Sequence, residues 1–448
     1  MSSTLLKKSI QNPPATRRGS LRFLGPGLIL SAAIVGSGEL IATTTLGAKT
    51  GFALMWIIVF GCLIKVTVQL EYGRFCIMHG ERTYQAWNHM PGPRLFRVHW
   101  TLVISFFFMI TIFFGQAGVL GGAAQVAQYI LPAVGLYGWL AILVASLILI
   151  LYRGKYKTVE RFATLLNVMF ITTLLYCVLA IQSTPYAFGV SDLADGFRFH
   201  LPSGALTYAL AAFGITGVSA GEITMYPYWC LEKGYAAWTG PNDGSDAWAE
   251  RARGWMRVMT LDALLSLVIY TVATIAFYIL GAAVLSRQAA LADGNQLILQ
   301  LSQLFTEVLG DRARLVFMLG AFAVLYSTVF SNVASYSRLW TDWYSECGWI
   351  NHDHARQRST SLAAMVIFLP ITWGVIYLLI QKPLFLVIVM GVSNTLFLVV
   401  VALQGLLFRY RYTDKNLVPS KGYDVALWLS ILSILYLACS SLVSMFSG

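Results

Sequence analysis

Two short stretches decide how this chain folds. IVGSGEL occupies residues 34–40 of the first long apolar segment, and GVSAGEI occupies residues 217–223 of the sixth. Each places small residues ahead of a Gly-Glu pair that is followed by Leu or Ile. Glycine costs about 1 kcal/mol per helical position relative to alanine, and a carboxylate inside an apolar segment is costly unless it is paired or solvated. The two stretches therefore predict helices that break at equivalent places.

The rest of the composition is typical of a protein that crosses a bilayer. Of the 448 residues, 57% are hydrophobic and 11% are charged, less than half of the roughly 25% charged residues in soluble domains. A mean hydropathy of +0.68 agrees. Disordered chains, collagens, secreted disulfide scaffolds and ordinary cytosolic enzymes are excluded. Eleven segments reach the roughly 17–25 apolar residues that a membrane helix needs, and we number them spans 1 to 11: 24–47, 52–78, 99–130, 136–152, 159–182, 204–231, 256–285, 314–341, 360–380, 383–407 and 424–446.

The sequence thus predicts an all-α polytopic membrane protein with a basic cytoplasmic segment, 1–23, before a single transmembrane domain, 24–448. Of the 31 Lys and Arg residues, 24 fall in loops on the side of the N-terminus and 6 on the opposite side. Because cytoplasmic loops are enriched in Lys and Arg, we expect a cytoplasmic N-terminus, an outer C-terminus and a place in the inner (plasma) membrane. Basic loops facing an anionic leaflet explain the net charge of +11 without nucleic acid.

The two Gly-Glu stretches also indicate an internal repeat. They lie 183 residues and five spans apart, and five is odd, so the two copies have opposite topology. We assign the first repeat to about 24–182, the second to about 204–407, and an extra helix to 424–446. Inverted repeats of this kind bring broken helices together around a substrate site at the bilayer midplane, where the freed backbone groups must face protein, water or substrate.

Glu39 and Glu222 are the strongest candidates for contact with a substrate. The small residues beside them should let the backbone unwind and shape the pocket: Gly36, Ser37, Gly38, Ala220 and Gly221. Two alternatives stay open: small residues can serve close helix packing, and the glutamates can pair with Lys65 or another buried base and serve folding only. Further polar residues in the spans are candidates for a gate or for coupling: Asp262, Tyr226, Ser327, Asn332 and Asn394.

No motif of an enzyme is present. The sequence contains no HExxH, P-loop, GxSxG or CxxC, and its six histidines lie in loops or at span ends. We therefore expect no catalytic activity and no cofactor, although a transporter that also senses its substrate stays open. The expected partners are the lipid bilayer and a small molecule or ion, and the expected state is a monomer.

Several features together resemble the Nramp family (natural resistance-associated macrophage proteins). They are GPG at residues 25–27, the paired breaks, Asp262 in span 7, and eleven spans with an inner N-terminus. The resemblance covers nearly the whole chain. It implies the leucine-transporter fold, with five-span repeats, broken helices 1 and 6, and divalent-metal transport by alternating access.

The binding residues depart from that family's pattern. Where its metal transporters have Asp-Pro-Gly-Asn, this chain has GSGE at residues 36–39, and where they have Met-Pro-His it has AGE at residues 220–222. The acidic residues that the family uses in span 3 for protons are missing, since residues 100–130 contain no Asp, Glu, Lys, Arg or His. The chain resembles a divergent branch, in which proton coupling and uniport are both open.

Two substrates fit these residues. Glu39 and Glu222 could bind a hard divalent cation, Mg²⁺ or Mn²⁺, because such ions prefer oxygen ligands and the softer methionine ligand is absent. The alternative is a small uncharged polar solute such as a sugar, with no metal transport, because the small residues at both breaks should enlarge the cavity.

Overall fold

The computed structural model describes residues 10–37, 39–152, 156–202, 204–287 and 296–447. Within these ranges, ten helices are long and apolar enough to cross a membrane, and the pair Pro26–Gly36 and Glu39–Thr50, bent by 41°, adds an eleventh span. The predicted all-α architecture of about eleven spans is confirmed.

The helices of the spans are, in chain order, Pro26–Ser37 and Thr44–Thr50 (span 1), Met55–His79 (span 2), Trp100–Ile130 (span 3), Gly135–Leu151 (span 4), Tyr156–Ala180 (span 5), Leu206–Ile215 and Ala220–Lys233 (span 6), Asp246–Ala283 (span 7), Gln296–Glu346 (span 8), Ala355–Ile380 (span 9), Pro383–Leu407 (span 10) and Lys421–Ser447 (span 11). Spans 7 and 8 begin well before residues 256 and 314, because their helices continue through charged residues that an apolar window cannot detect.

The connections contain shorter elements. The short α-helices are Arg17–Ser20, Thr83–His89, Val190–Asp195 and Tyr235–Thr239. Three-residue 3₁₀ turns occupy Leu21–Phe23, Pro132–Val134, Ile181–Ser183, Leu285–Arg287 and Lys415–Leu417. A π-helical turn, Phe408–Tyr412, ends span 10. The strands Arg94–Leu95 and Val98–His99 pair antiparallel between spans 2 and 3.

Spans 6 and 8 form the centre of the bundle. In the most apolar stretch of each helix, 83% of span 6 and 89% of span 8 is buried inside the protein, against 22% of span 4. Span 1 packs closely on its neighbours through glycines: a Cβ at Gly27 or Gly47 would meet the backbone of span 7, and one at Gly36 would meet span 8. The polar residues of spans 1, 6, 7 and 8 are thereby brought together in the interior.

Both predicted breaks are present, but they are narrower than the sequence indicates. Span 1 stays α-helical to Ser37 and resumes as a π-helical turn, Glu39–Thr43. Span 6 is interrupted between Ile215 and Ala220. The expected unwinding at Gly36 and Gly221 is wrong, since both lie in helices. Gly217, with a φ of +62°, is the glycine that turns the span 6 break, because it adopts a left-handed backbone at low cost.

Candidate functional site

Glu39 connects the two breaks directly. Its side chain is fully buried, and its Oε1 accepts a hydrogen bond of 3.3 Å from the backbone amide of Gly217. Its other oxygen, Oε2, is buried and has no hydrogen-bond partner among the described residues. The nearby Thr274 hydroxyl on span 7 donates instead to the Tyr270 carbonyl of its own helix, at 2.7 Å. One carboxylate oxygen is therefore held in place and the other is left available.

Glu222 lies in the first turn of the second half of span 6, just after the break. Its Oε2 accepts a hydrogen bond of 3.1 Å from the Ser219 amide and a second one from the Ser219 hydroxyl. This is a capping box, and a carboxylate at this helix end is also favoured by the helix dipole. Glu222 therefore has a structural role, and it stays close enough to Glu39 to act on it electrostatically.

Lys65 also belongs to the site, and the sequence does not reveal its hydrogen-bond partners. Its side chain is fully buried, and its Nζ donates to the backbone carbonyls of Phe213, at 2.6 Å, and Thr216. Among the ion pairs of the described residues, none joins Lys65 to Glu39 or Glu222. The alternative that the glutamates form salt bridges with Lys65 is therefore not what the structure shows.

Further polar groups lie at the span 6 break near Glu39: a Cβ at Gly217 would meet the Cys62 thiol and the Tyr270 ring. Thr216 Oγ1 and the Tyr270 hydroxyl are buried without a partner in the described part of the chain, and Tyr270 lies within electrostatic range of Glu39. Neither hydroxyl is among the site residues predicted from the sequence. The signal that could have found them is the spacing of Tyr270, Thr271 and Thr274, which places all three on one side of span 7.

Side chains of span 8 occupy the space beside the small residues. A Cβ at Gly36 would meet the Val324 carbonyl and the Thr328 hydroxyl, and a Cβ at Gly221 would lie 2.5 Å from the Tyr336 hydroxyl. The expected enlargement of the cavity is therefore wrong at these two positions. Ala220 is fully buried, and the side chain of Ser37 and the whole of Gly38 lie outside the described residues.

Asp262 holds the start of span 1. Its two carboxylate oxygens accept hydrogen bonds from the amides of Gly25, at 2.8 Å, and Gly27, at 2.6 Å. The Tyr226 hydroxyl lies 3.3 Å from the same carboxylate and 3.2 Å from the Met259 carbonyl. Asp262 thus satisfies orphan amides at the start of a helix that begins at Pro26, far away in the chain. A gating or coupling role for Asp262 and for Tyr226 stays a prediction.

The remaining gate candidates lie in the interior. Ser327 donates to the Val324 carbonyl of its own helix at 2.9 Å. Asn394 donates to the Met390 carbonyl at 3.1 Å, while its Oδ1 and both polar atoms of Asn332 find no partner within the described ranges. Buried amides of this kind usually contact water or a ligand.

A cavity of about 810 Å³ opens at the far end of the span 6 helix that begins beside Glu222. It is lined by residues of spans 6, 8 and 9 and of the connections after spans 2 and 8, including Arg82, Tyr228, Glu232, Arg338 and His352. Arg338 pairs with Glu232 at 2.5 Å. Burial, with the guanidinium groups of Arg82 and Arg358 nearby, lowers the pKa of the His352 imidazole to about 4.

The described residues contain no group of three or more His, Cys, Asp or Glu side chains placed to hold a metal ion. A cation at the breaks would therefore be bound by two carboxylates at most, with hydroxyls, freed backbone carbonyls and water supplying the other ligands. Hard ions such as Mg²⁺ keep several waters and tolerate such a ligand set.

A bundle of about eleven spans, broken at spans 1 and 6 with buried polar groups at both breaks, defines a membrane transporter. Residues 27–444 match the model of the family described as natural resistance-associated macrophage protein-like, so this chain belongs to that family, whose members are transporters and not enzymes.

Relatives and solved structures agree with this assignment. The divalent metal cation transporter MntH of Yersinia enterocolitica is 23% identical over 344 residues, 74% of this chain and 75% of that protein. The structure of the Eremococcus coleocola manganese transporter mutant H236A superimposes with a TM-score of 0.73 at 17% identity, covering 98% of this chain and 89% of that one. MHP1, a nucleobase-cation-symport-1 family transporter, follows with a TM-score of 0.59 at 15% identity, covering 94% and 90%. The predicted leucine-transporter-like fold is confirmed.

Proposed function

We propose that this transporter moves a hard divalent cation, Mg²⁺ or Mn²⁺, by alternating access around Glu39 and Glu222. The observation that carries the proposal is the buried Oε2 of Glu39, which lacks a partner among the described residues. A buried polar atom without a partner costs about 1–3 kcal/mol, and more when it is charged. A cation at this oxygen would remove that cost. The functions of two similar proteins, a divalent metal cation transporter and a manganese transporter, support the same class of cargo.

The chemistry of the site favours a hard ion. Most of the groups near Glu39 that could coordinate a cation are oxygens, namely the carboxylates and the hydroxyls of Thr216 and Tyr270. One thiol, that of Cys62, also lies close by. Oxygen ligands suit Mg²⁺ and Mn²⁺, whereas soft ions prefer thiolate or thioether ligands. Alanine at position 220 supplies no such sulfur.

An uncharged organic solute is not favoured. That alternative depended on space left by small residues, and span 8 fills the space at Gly36 and Gly221. A sugar would also need several hydrogen-bonding side chains around its ring, whereas Glu222 already accepts two hydrogen bonds from Ser219.

The proposal includes an orientation and a mode of transport. The 24 to 6 split of basic residues supports a cytoplasmic N-terminus and an outer C-terminus in the plasma membrane. Residues 100–130 contain no Asp, Glu, Lys, Arg or His, which favours a uniporter over a carrier with a separate proton path along span 3. The proposed transporter is a monomer.

The ligand set can be tested by isothermal titration of purified protein with Mg²⁺, Mn²⁺ and a panel of sugars. We expect saturable binding of Mn²⁺ or Mg²⁺ by the wild type. In Glu39→Gln, loss of a charged ligand should weaken binding at least about a hundredfold. Glu222→Gln should weaken it as well while preserving the helix start, because glutamine also serves in a capping box.

The matched control is Glu71→Gln, which removes a buried carboxylate of span 2 that pairs with Arg74 at 3.2 Å. Its metal affinity should equal that of the wild type. Metal binding that is unchanged in Glu39→Gln and Glu222→Gln would contradict the two-glutamate site. Saturable binding of a sugar without any binding of metal would contradict the proposal that the transported substrate is a cation.

A further inference from the structure

The side chain of Lys65 places a positive charge at the span 6 break. The Lys65 ammonium donates to the carbonyls of Phe213 and Thr216, and it stands 4.7 Å from the centre of the Phe213 ring. The first half of span 6 ends at Ile215, so these carbonyls belong to the last helical turn and to the break itself. Carbonyls at such a helix end carry partial negative charge, and they attract cations.

The same carbonyls are the groups that a transported cation would be expected to use. In transporters with discontinuous helices, freed carbonyls and the C-terminal ends of half-helices coordinate the ion. Here Lys65 binds them first. A divalent cargo is therefore left with Glu39, Glu222, hydroxyls and water, and it must bind next to a fixed positive charge that acts on both glutamates.

We propose that Lys65 competes with the transported cation for the carbonyls of the span 6 break. It is a specificity-determining residue that weakens the binding of a divalent cation. When the site is empty, its positive charge balances the negative charge of one of the two carboxylates. This inference rests on the proposed function. With both carboxylates ionised, the empty site would carry a charge of −2 in an apolar interior; with Lys65 protonated as well, that charge would be −1. The carrier can thus return empty without a second cation, and it releases a divalent ion readily because ammonium and cargo repel each other.

Charge and hydrogen bonding can be separated by substitution. Lys65→Gln keeps an N–H donor for the carbonyls and removes the charge, whereas Lys65→Arg keeps the charge. By titration with Mn²⁺, we expect the Kd of Lys65→Gln to fall at least about tenfold below that of the wild type, since two positive charges within a protein interior repel strongly. Lys65→Arg should stay within about threefold of the wild type. Mn²⁺ release measured by stopped flow should slow in Lys65→Gln in proportion to the Kd.

A purely structural role predicts a different pattern, in which Lys65→Gln retains the helix cap and binds Mn²⁺ as the wild type does. That result would overturn the inference while leaving the proposed function intact. Absence of Mn²⁺ and Mg²⁺ binding in the wild type and in every variant would overturn both. If Lys65→Gln does not fold, Lys65→Met replaces it with the same expected fall in Kd, because methionine is unbranched, uncharged and only one atom shorter than lysine. The matched control, Lys49→Gln, removes a lysine that stacks on Tyr208 at 4.1 Å and should leave the Kd unchanged.

Discussion

Replacing Asp262 should loosen the start of span 1 by an amount that the structure defines. Its carboxylate accepts hydrogen bonds of 2.8 and 2.6 Å from the Gly25 and Gly27 amides. Hydrogen bonds to charged groups contribute about 1.5–3 kcal/mol each. Asp262→Ala leaves both buried amides without an acceptor, so we expect a loss of about 3–6 kcal/mol in the free energy of unfolding.

Asp262→Asn gives an intermediate result, because its one carbonyl oxygen can accept from one of the two amides. We expect about half of the alanine effect. The assay is denaturant unfolding in mild detergent, followed by tryptophan fluorescence. Glu250→Ala, an exposed carboxylate of the same helix, is the control and should stay within about 0.5 kcal/mol of the wild type. Equal stability of Asp262→Ala and wild type would refute the capping role, as would an asparagine variant less stable than the alanine variant.

Three further predictions concern packing and pH. Gly36→Asp should destabilise the protein by about 1–3 kcal/mol, seen as a lower melting temperature, because its Cβ would meet the Val324 carbonyl; an unchanged value would refute this contact. Gly281→Ala should have a similar cost, since its Cβ would meet the backbone of Thr44 on span 1; normal stability would mean that spans 1 and 7 pack less closely. The folded pKa of His352 is about 4, below the unfolded value of roughly 6.5. The unfolded state therefore binds more protons between these values, and the melting temperature should fall as pH drops through that window, less steeply in His352→Gln; identical slopes would contradict this.

The sequence predicts the architecture well because the decisive signals are local. Span lengths, the basic loops and the repeated Gly-Glu stretches each depend on neighbouring residues, and both breaks occur where small residues cluster. The sequence does not show which glycines stay in a helix and which lie in a break. Gly36 remains helical because span 8 packs against it, and packing between elements routinely overrides intrinsic helix propensity.

The site was harder to predict for the same reason. Lys65 lies 151 residues before the Thr216 carbonyl that it binds, and Asp262 lies 235 residues after the Gly27 amide that it accepts from. Neither spacing nor composition reveals such partners. The sequence indicates that a charged residue within a membrane span needs a partner, but only the packing of the helices shows that the partner is backbone.

The most direct test of the account is cation flux into proteoliposomes that contain the purified protein. Dyes sensitive to Mn²⁺ and Mg²⁺ are trapped inside, and the wild type is compared with Glu39→Gln and Glu71→Gln at equal, verified reconstitution. We predict saturable uptake of Mn²⁺ or Mg²⁺ by the wild type and by Glu71→Gln, and a loss of at least about tenfold in Glu39→Gln. Uptake at the wild-type rate by Glu39→Gln, or no uptake of either ion by folded wild-type protein, would contradict the central claim.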